Sequence, residues 1–486
     1  MNDIEQQLKV LHDGIRIDAP LVADFFEEHT ELAEYTKQIN AYTAHPTHRE
    51  RQEVLKKKVK ELLLLTFSEE ELAHANIPWS EDWKINIVDH HGILNHPILV
   101  STNIISNMFQ LPAEKPKGVV VLSDSGVPLN NFFHKRGMKF CGEQLNIFPS
   151  RDRHVMAYAG KKQQHFPLLE AAERSEKKWS EAECATLKKV DEQLNTWGNA
   201  PHVANYRQQV QRINFHLWKE LFEESLREKM PDIFYISNEE LGGQMLRHFL
   251  QDSTHLFTRI LCEEKTREIV VRSFMNVTGC WDQDLKRGSV FFWGIDDEQR
   301  KIPLQLVGNT LTSAPGFPAF TLDLTPHAII EALDFERIYP GMFLVYGIAH
   351  FHCGIRPLVG YGSMNYQTRM KEAWVRAMKE IDPMELPLIE SINTRGFIGG
   401  PKVTFGWNAQ NGFEDFFALD IVHRGGMTKE YLQHLAQTPL SAVLQPALID
   451  IYESYVRPER RQNITITSND LMNDHFEWVK NVWKVN

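Results

Sequence analysis

The sequence predicts a mixed α+β fold: a mixed sheet core with an N-terminal helical layer and a helical insertion. Three observations lead there. Apolar residues recur at helical spacing through Leu8, Leu11 and Ile15, and again through Leu55, Val59, Leu62 and Leu63, with charged residues between them. Residues 83–88 (Trp-Lys-Ile-Asn-Ile-Val) alternate with period two, and residues 118–122 (Gly-Val-Val-Val-Leu) form a continuous apolar run; both read as strands. The patterns neither alternate strictly nor separate into halves, so a clean doubly wound or barrel order is not expected.

In chain order, residues 1–82 form the N-terminal helical region. Residues 83–162 begin the core, and their first strand delivers Asp89-His90-His91 to its end. Residues 163–230 turn helical again as an insertion: Ser180-Glu181-Ala182-Glu183 is a capping box, and Tyr206, Val210, Ile213, Leu217 and Leu221 mark one face. Residues 231–486 supply the remainder of the core and the C-terminal helices. Ser237-Asn238-Glu239-Glu240 opens a helix as a second capping box, and hairpins are expected around residues 263–265 and 296–298. Thr325-Pro326 starts a helix with proline at its first position, residues 366–381 form another, and residues 468–485 are expected to close the chain as a helix.

Composition narrows the function classes. At 486 residues, with 42% hydrophobic and 24% charged residues, the chain has the ordinary globular balance and enough length for two or three units. A net charge of −11 repels a phosphate backbone, and the short run Lys56-Lys57-Lys58-Val59-Lys60 sits in a helical stretch, so nucleic acid is not an expected partner. No segment approaches the ~18 apolar residues needed to cross a bilayer. The start Met1-Asn2-Asp3-Ile4-Glu5 lacks the features of a secretory signal. A cytoplasmic protein with a small-molecule substrate, no membrane partner and room for homo-oligomers is expected. Cys141, Cys184, Cys262, Cys280 and Cys353 are odd in number and widely spaced, which argues against a disulfide framework or a thiolate zinc site.

The strongest candidate site is Asp89-His90-His91-Gly92-Ile93-Leu94-Asn95-His96. Imidazoles ligate metals and move protons near neutral pH. In extended chain Asp89 and His91 share one side and His90 faces the other, and Gly92 lets the chain turn so that His96 returns. This alternation favours Asp89, His91 and His96 over His90 as ligands or acid/base groups. Such a nitrogen/oxygen set suits zinc, manganese or iron, with the metal acidifying a bound water or polarising a substrate oxygen.

The stretch Ile87-Val88-Asp89-His90-His91 resembles the Asp-His-His signature of the DHH phosphoesterases. That resemblance implies manganese-dependent hydrolysis of phosphodiesters or pyrophosphate. The family's earlier Asp-x-Asp motif has no counterpart in residues 1–82, so the chain is not assigned to it, and phosphoester hydrolysis stays as one form of the hydrolase reading.

His350 and His352 form a second constellation. They share a face and extend the ligand set if the chain there is extended, and point about 200° apart if it is helical. Three glycine loops offer backbone amides to an anion: residues 123–126, 395–400 and 423–426, the last with Arg424 ahead of a helix near Thr428. None matches a nucleotide-binding motif. The loop from Pro128 to Gly137 carries Asn130, Asn131, His134 and Arg136, suited to orienting a polar substrate at a strand end.

The expected function is therefore an enzyme acting on a small polar or anionic substrate at a His/Asp-lined site, with a metal-dependent hydrolase as one form. A metal-free acid/base transferase or ligase is the alternative, and a non-enzymatic binding or scaffold protein is the other.

Overall fold

A computed structural model of the chain describes residues 3–131, 133, 135–148, 154–283, 287–408, 412–472 and 474–485, with backbone alone for 84–89, 474 and 484–485. The architecture is mixed α+β. At its centre lies a five-stranded sheet of β1 (Lys84–His90), β2 (Val119–Asp124), β3 (Ile233–Ser237), β4 (Arg356–Gly360) and β5 (Gly396–Gly399), in the spatial order β5-β4-β1-β2-β3. Every pairing in it is parallel. The interior of β2 and the whole of β3 are buried, as continuous apolar strands covered on both faces must be.

That order is the doubly wound one, in which the chain leaves β1 to one side for two strands and then crosses to the other. The sequence argued against such an order, and for the central sheet this is corrected. The alternation is hidden because helices of residues 168–229 intervene before β3, and a five-stranded antiparallel sheet within residues 292–340 intervenes before β4. Smaller sheets pair Gly137–Phe140 with Glu143–Asn146, and Phe405–Asn408 with Gly412–Asp415 and Lys484–Val485.

Helix α1 (Pro97–Asn107) packs on β1 and β5, α2 (Asn238–Phe249) on β2 and β3, and α3 (Tyr361–Ile381) on β4 and β5. Ten of the eleven residues of α1 are buried, because the N-terminal helix Leu32–Asn40 covers its other side. The N-terminal helix Pro46–Leu64 lies across α2. The capping box at Ser180 forms as expected, while at Ser237 only the serine half forms, accepting the Glu240 amide at 3.1 Å. The Glu240 carboxylate lies 3.5 Å from buried Arg207 instead.

Two expected elements differ. Residues 263–265 join the helices Leu256–Cys262 and Glu264–Ser273 rather than two strands, whereas residues 296–298 do turn a hairpin. Residues 468–485 are not one helix. Asp470 takes the Thr467 amide and hydroxyl, and Asn469 takes the Phe413 amide, so short polar side chains capture backbone groups that a helix would need.

Candidate functional site at the sheet's C-terminal edge

In doubly wound sheets ligands bind outside the carboxyl ends of the strands, where the strand order reverses. Here that point lies between β1 and β4, and the His-rich segment leaves β1 there. Asn214 holds its turn, donating to the Gly92 carbonyl at 2.9 Å and accepting the Leu94 amide at 2.8 Å. His96 then caps α1 ahead of Pro97, its Nδ1 accepting the Ile98 amide at 3.2 Å.

Strand alternation separates the two adjacent histidines. His91 is buried, with Nε2 3.0 Å from the Arg207 carbonyl and Nδ1 2.8 Å from the Ser123 hydroxyl. A nitrogen facing a carbonyl carries the proton, so Nδ1 accepts from Ser123. Burial pulls its pKa down to about 3. Both ring nitrogens are thus committed within the protein.

His90 lies on the other side, half-buried, with Nδ1 3.4 Å from Asn131 Oδ1. Its ring meets the edge of Phe133 at 4.7 Å, and His96 meets the same ring at 5.0 Å. The sequence favoured Asp89, His91 and His96; the geometry pairs His96 with His90. Of Asp89 only the backbone is described, in register with Ser123, and His134 lies outside the described residues.

Burial holds the His90 pKa at about 4. His96 is held at about 3, first by burial and then by Lys402, Lys135, Lys139 and His90. These cations arrive from separate elements. Lys139 belongs to the strand Gly137–Phe140 and sits 5.0 Å over the ring of Phe417, itself 5.5 Å from His96. Lys402 follows β5 and is balanced by Asp415 and Asp450 at 3.0 and 3.2 Å.

Across the edge, Asp124 ends β2 in register with His90, so their side chains lie on one face of adjacent strands. Its carboxylate accepts from Asn238 Nδ2 and from the Tyr346 hydroxyl, each at 2.7 Å. Tyr346 stacks on Tyr366, whose hydroxyl donates to Ser363 at 2.8 Å in the first turn of α3. Burial, ahead of the Asp124 charge, raises both phenols, Tyr366 to about 12. Sequence reasoning did not single out Tyr346, Tyr366, Asn238, Lys135, Lys139 or Lys402. A readable signal existed for Asp124 alone, a carboxylate ending an apolar strand.

The other expected residues have these surroundings. Asn131 donates to the Pro128 carbonyl at 2.8 Å and accepts the Phe133 amide at 2.9 Å. Asn130 is half-buried beside it, and Arg136 Nε donates to the Phe148 carbonyl at 3.2 Å. Arg424 stacks its guanidinium 4.7 Å over Phe416. The glycines after it allow close approach: a Cβ on Gly426 would stand 2.3 Å from the Phe222 carbonyl carbon. At the loop 123–126 the Ser125 and Gly126 amides are taken by the protein's own Glu239 carboxyl, and residues 396–399 of the loop 395–400 form β5.

His350 and His352 lie in a π-helical turn, Gly347–His352, and part accordingly. His350 Nδ1 donates to the Ile355 carbonyl at 2.8 Å while its ring stacks on Tyr346. His352 packs among Phe249, His255 and Phe257. Among the described residues, no group of three or more His, Cys, Asp or Glu side chains is placed to hold a metal ion. His91, His96, His350 and His352 do not fit a shared ligand set.

Fold and site together define a class: an α+β protein with a doubly wound central sheet and a His/Asp/Lys-lined edge at its switch point. No protein-family model matches the chain, and no curated protein matches it. Among the described residues no helix is long and apolar enough to cross a membrane.

Proposed function

We propose that the chain is an enzyme acting on a small polar or anionic substrate at the C-terminal edge of the central sheet, by acid/base chemistry of His90 and His96. The observation that carries this reading is the contact of both imidazoles with Phe133, at 4.7 and 5.0 Å, with hydrogen-bond partners that imply opposed tautomers. Asn131 donates through Nδ2 to Pro128, which turns its Oδ1 towards His90 Nδ1. His90 therefore holds its proton on Nδ1 and leaves Nε2 as an acceptor. His96 accepts at Nδ1 from Ile98, so its proton is on Nε2. One ring accepts a proton and the other donates a hydrogen bond, which is the complement a substrate needs for proton removal and oxyanion stabilisation.

Lys135 and Lys139 near His96 supply the field for a substrate anion. An anion bound there favours the imidazolium forms and raises both pKa values towards the range where proton transfer is efficient. Transfer and hydrolysis both follow from this arrangement. In the metal-dependent form zinc, manganese or iron would polarise the substrate oxygen. The five free cysteines suit residence in the reducing cytoplasm.

The test is conversion of a polar metabolite extract, followed by mass spectrometry, with wild type, His90→Ala and His96→Gln. The expected result is an anionic metabolite consumed by wild type and consumed ~10²-fold or more slowly by each variant. Equal consumption by the variants would overturn the reading. Binding without any conversion would favour the non-enzymatic alternative.

A further inference from the structure

At the opposite end of the central sheet, below the N-terminal ends of β1, β2 and β4, lies a half-open cavity of about 250 Å³. Its walls come from unrelated parts of the chain: Asn40, Trp83, Asn107, Phe109, Gln110 and Leu358. A dry cavity of ~150 Å³ takes benzene, so this one has the size for one or two fused rings. No group discussed for the C-terminal edge faces it.

The lining sets the chemistry. Trp83 and Leu358 are buried, while Phe109 is 43% exposed at the mouth, an arrangement suited to stacking a flat ring. Between the apolar surfaces stand side-chain amides with capacity to spare. Asn40 gives its Nδ2 to the Thr36 and Ser106 carbonyls, and no described group donates to its Oδ1. Gln110 donates to Asn107 at 3.1 Å, but its Oε1 receives only the Lys117 amide at a long 3.4 Å. Asn40 thus offers an acceptor and Gln110 one remaining amide hydrogen, a donor and acceptor for the edge of a heterocycle.

Charge excludes the alternatives. The ionic groups at the rim are neutralised in pairs: Lys117 with Glu81, and Arg49 with Asp82 through bonds of 2.8 and 3.0 Å. A charged ligand would have to break one of these pairs, whereas a neutral one leaves both intact. A purely apolar ligand would cover the Asn40 carbonyl oxygen without supplying a donor to it.

We infer that this cavity is a second ligand site, for a neutral, planar, hydrogen-bonding heterocycle of purine size. Phe109 supplies the stacking face, and Asn40 and Gln110 read the ring edge. Phe109 and Gln110 lie at the surface, so their truncation spares the core.

Adenine is the probe, titrated into the full-length protein and followed by ligand-observed NMR, with indole as a ring lacking the edge acceptors. Adenine is expected to bind wild type and to bind Phe109→Ala and Gln110→Ala about tenfold or more weakly, as loss of a stacking or edge contact requires. Indole is expected to bind at least tenfold more weakly than adenine. Absence of adenine binding at millimolar concentration, equal binding of indole, or undiminished affinity in the two variants would each overturn the assignment. Unchanged thermal unfolding of the variants shows that the fold is not what was lost.

Discussion

The Glu239 carboxylate, in the first turn of α2, closes on Ser125: it accepts the Ser125 amide and hydroxyl, both at 2.7 Å, and the Gly126 amide at 2.7 Å. An anion held by loop amides beside a helix start is a binding motif, here filled by the protein itself. Burial raises the Glu239 pKa, against the lowering effect of these bonds. Glu239→Ala leaves the buried Ser125 amide and the half-buried Gly126 amide without a partner, while the Ser125 hydroxyl keeps the Ser237 hydroxyl at 2.5 Å, and it is expected to cost on the order of 2 kcal/mol. A urea midpoint that falls with an unchanged slope checks this, and wild-type stability would contradict it.

A second prediction concerns Gly354, whose φ is +67° and whose absent Cβ would stand 2.3 Å from Cγ of buried His48. Gly354→Ala combines left-handed backbone strain with a clash against a ring that has nowhere to move. A loss of roughly 2–4 kcal/mol is expected from those two causes. Denaturant unfolding measures it; a loss below about 1 kcal/mol, the ordinary scale for a point substitution, would show that the seam is looser than described.

His48, His255 and His352 meet where the helix Pro46–Leu64 packs on the π-helical turn, and all three are held below the usual imidazole pKa, chiefly by burial. His48 and His255 are held at about 4. The charged and titratable groups around them are His45, Arg51, His248, Asp252 and Glu385. The unfolded chain takes up protons near 6.5 while the folded one resists to about 4. Stability present above pH 6.5 is therefore lost as pH falls through that window. His48→Leu removes one such group and is expected to flatten the decline measured from pH 7 to 4.5. A decline of wild-type steepness in the variant would count against a buried, neutral His48.

The Asp124 carboxylate, fixed by Asn238 and Tyr346, faces the same edge as His90. Tyr346→Phe removes one charged hydrogen bond and is expected to lower stability by ~1–3 kcal/mol. It should also slow turnover more than it weakens substrate binding, since it frees Asp124 to move. Separate measurement of kcat and KM on the metabolite that the extract assay identifies decides this; a change confined to KM would assign Tyr346 to binding alone.

Much of the local structure is legible in sequence, because it depends on local chemistry. The Ser180 capping box, Pro326 at a helix start, the alternation before Asp89 and the apolar run of β2 all fold as their patterns imply. What fails is long-range. β4 carries proline and glycine and gives no strand signal, and β5, Gly-Phe-Ile-Gly, reads as a glycine loop; β4 becomes a strand by pairing with β1, and β5 by pairing with β4. The site suffers in the same way. The histidines are visible as a cluster, but which of His90 and His91 faces the edge depends on Ser123 and the Arg207 carbonyl, remote in sequence. The lysines and tyrosines around them have no spacing that could announce them.

The central claim is that His90 and His96 are neutral imidazoles of opposite tautomer bracketing one binding edge. Nitrogen-15 NMR of histidine-labelled protein at pH 7, assigned with His90→Ala and His96→Gln, tests it most directly. The account predicts an unprotonated Nε2 on His90, a protonated Nε2 on His96, and movement of both signals on addition of citrate or orthophosphate. Two imidazolium rings, identical tautomers, or signals indifferent to both anions would contradict it.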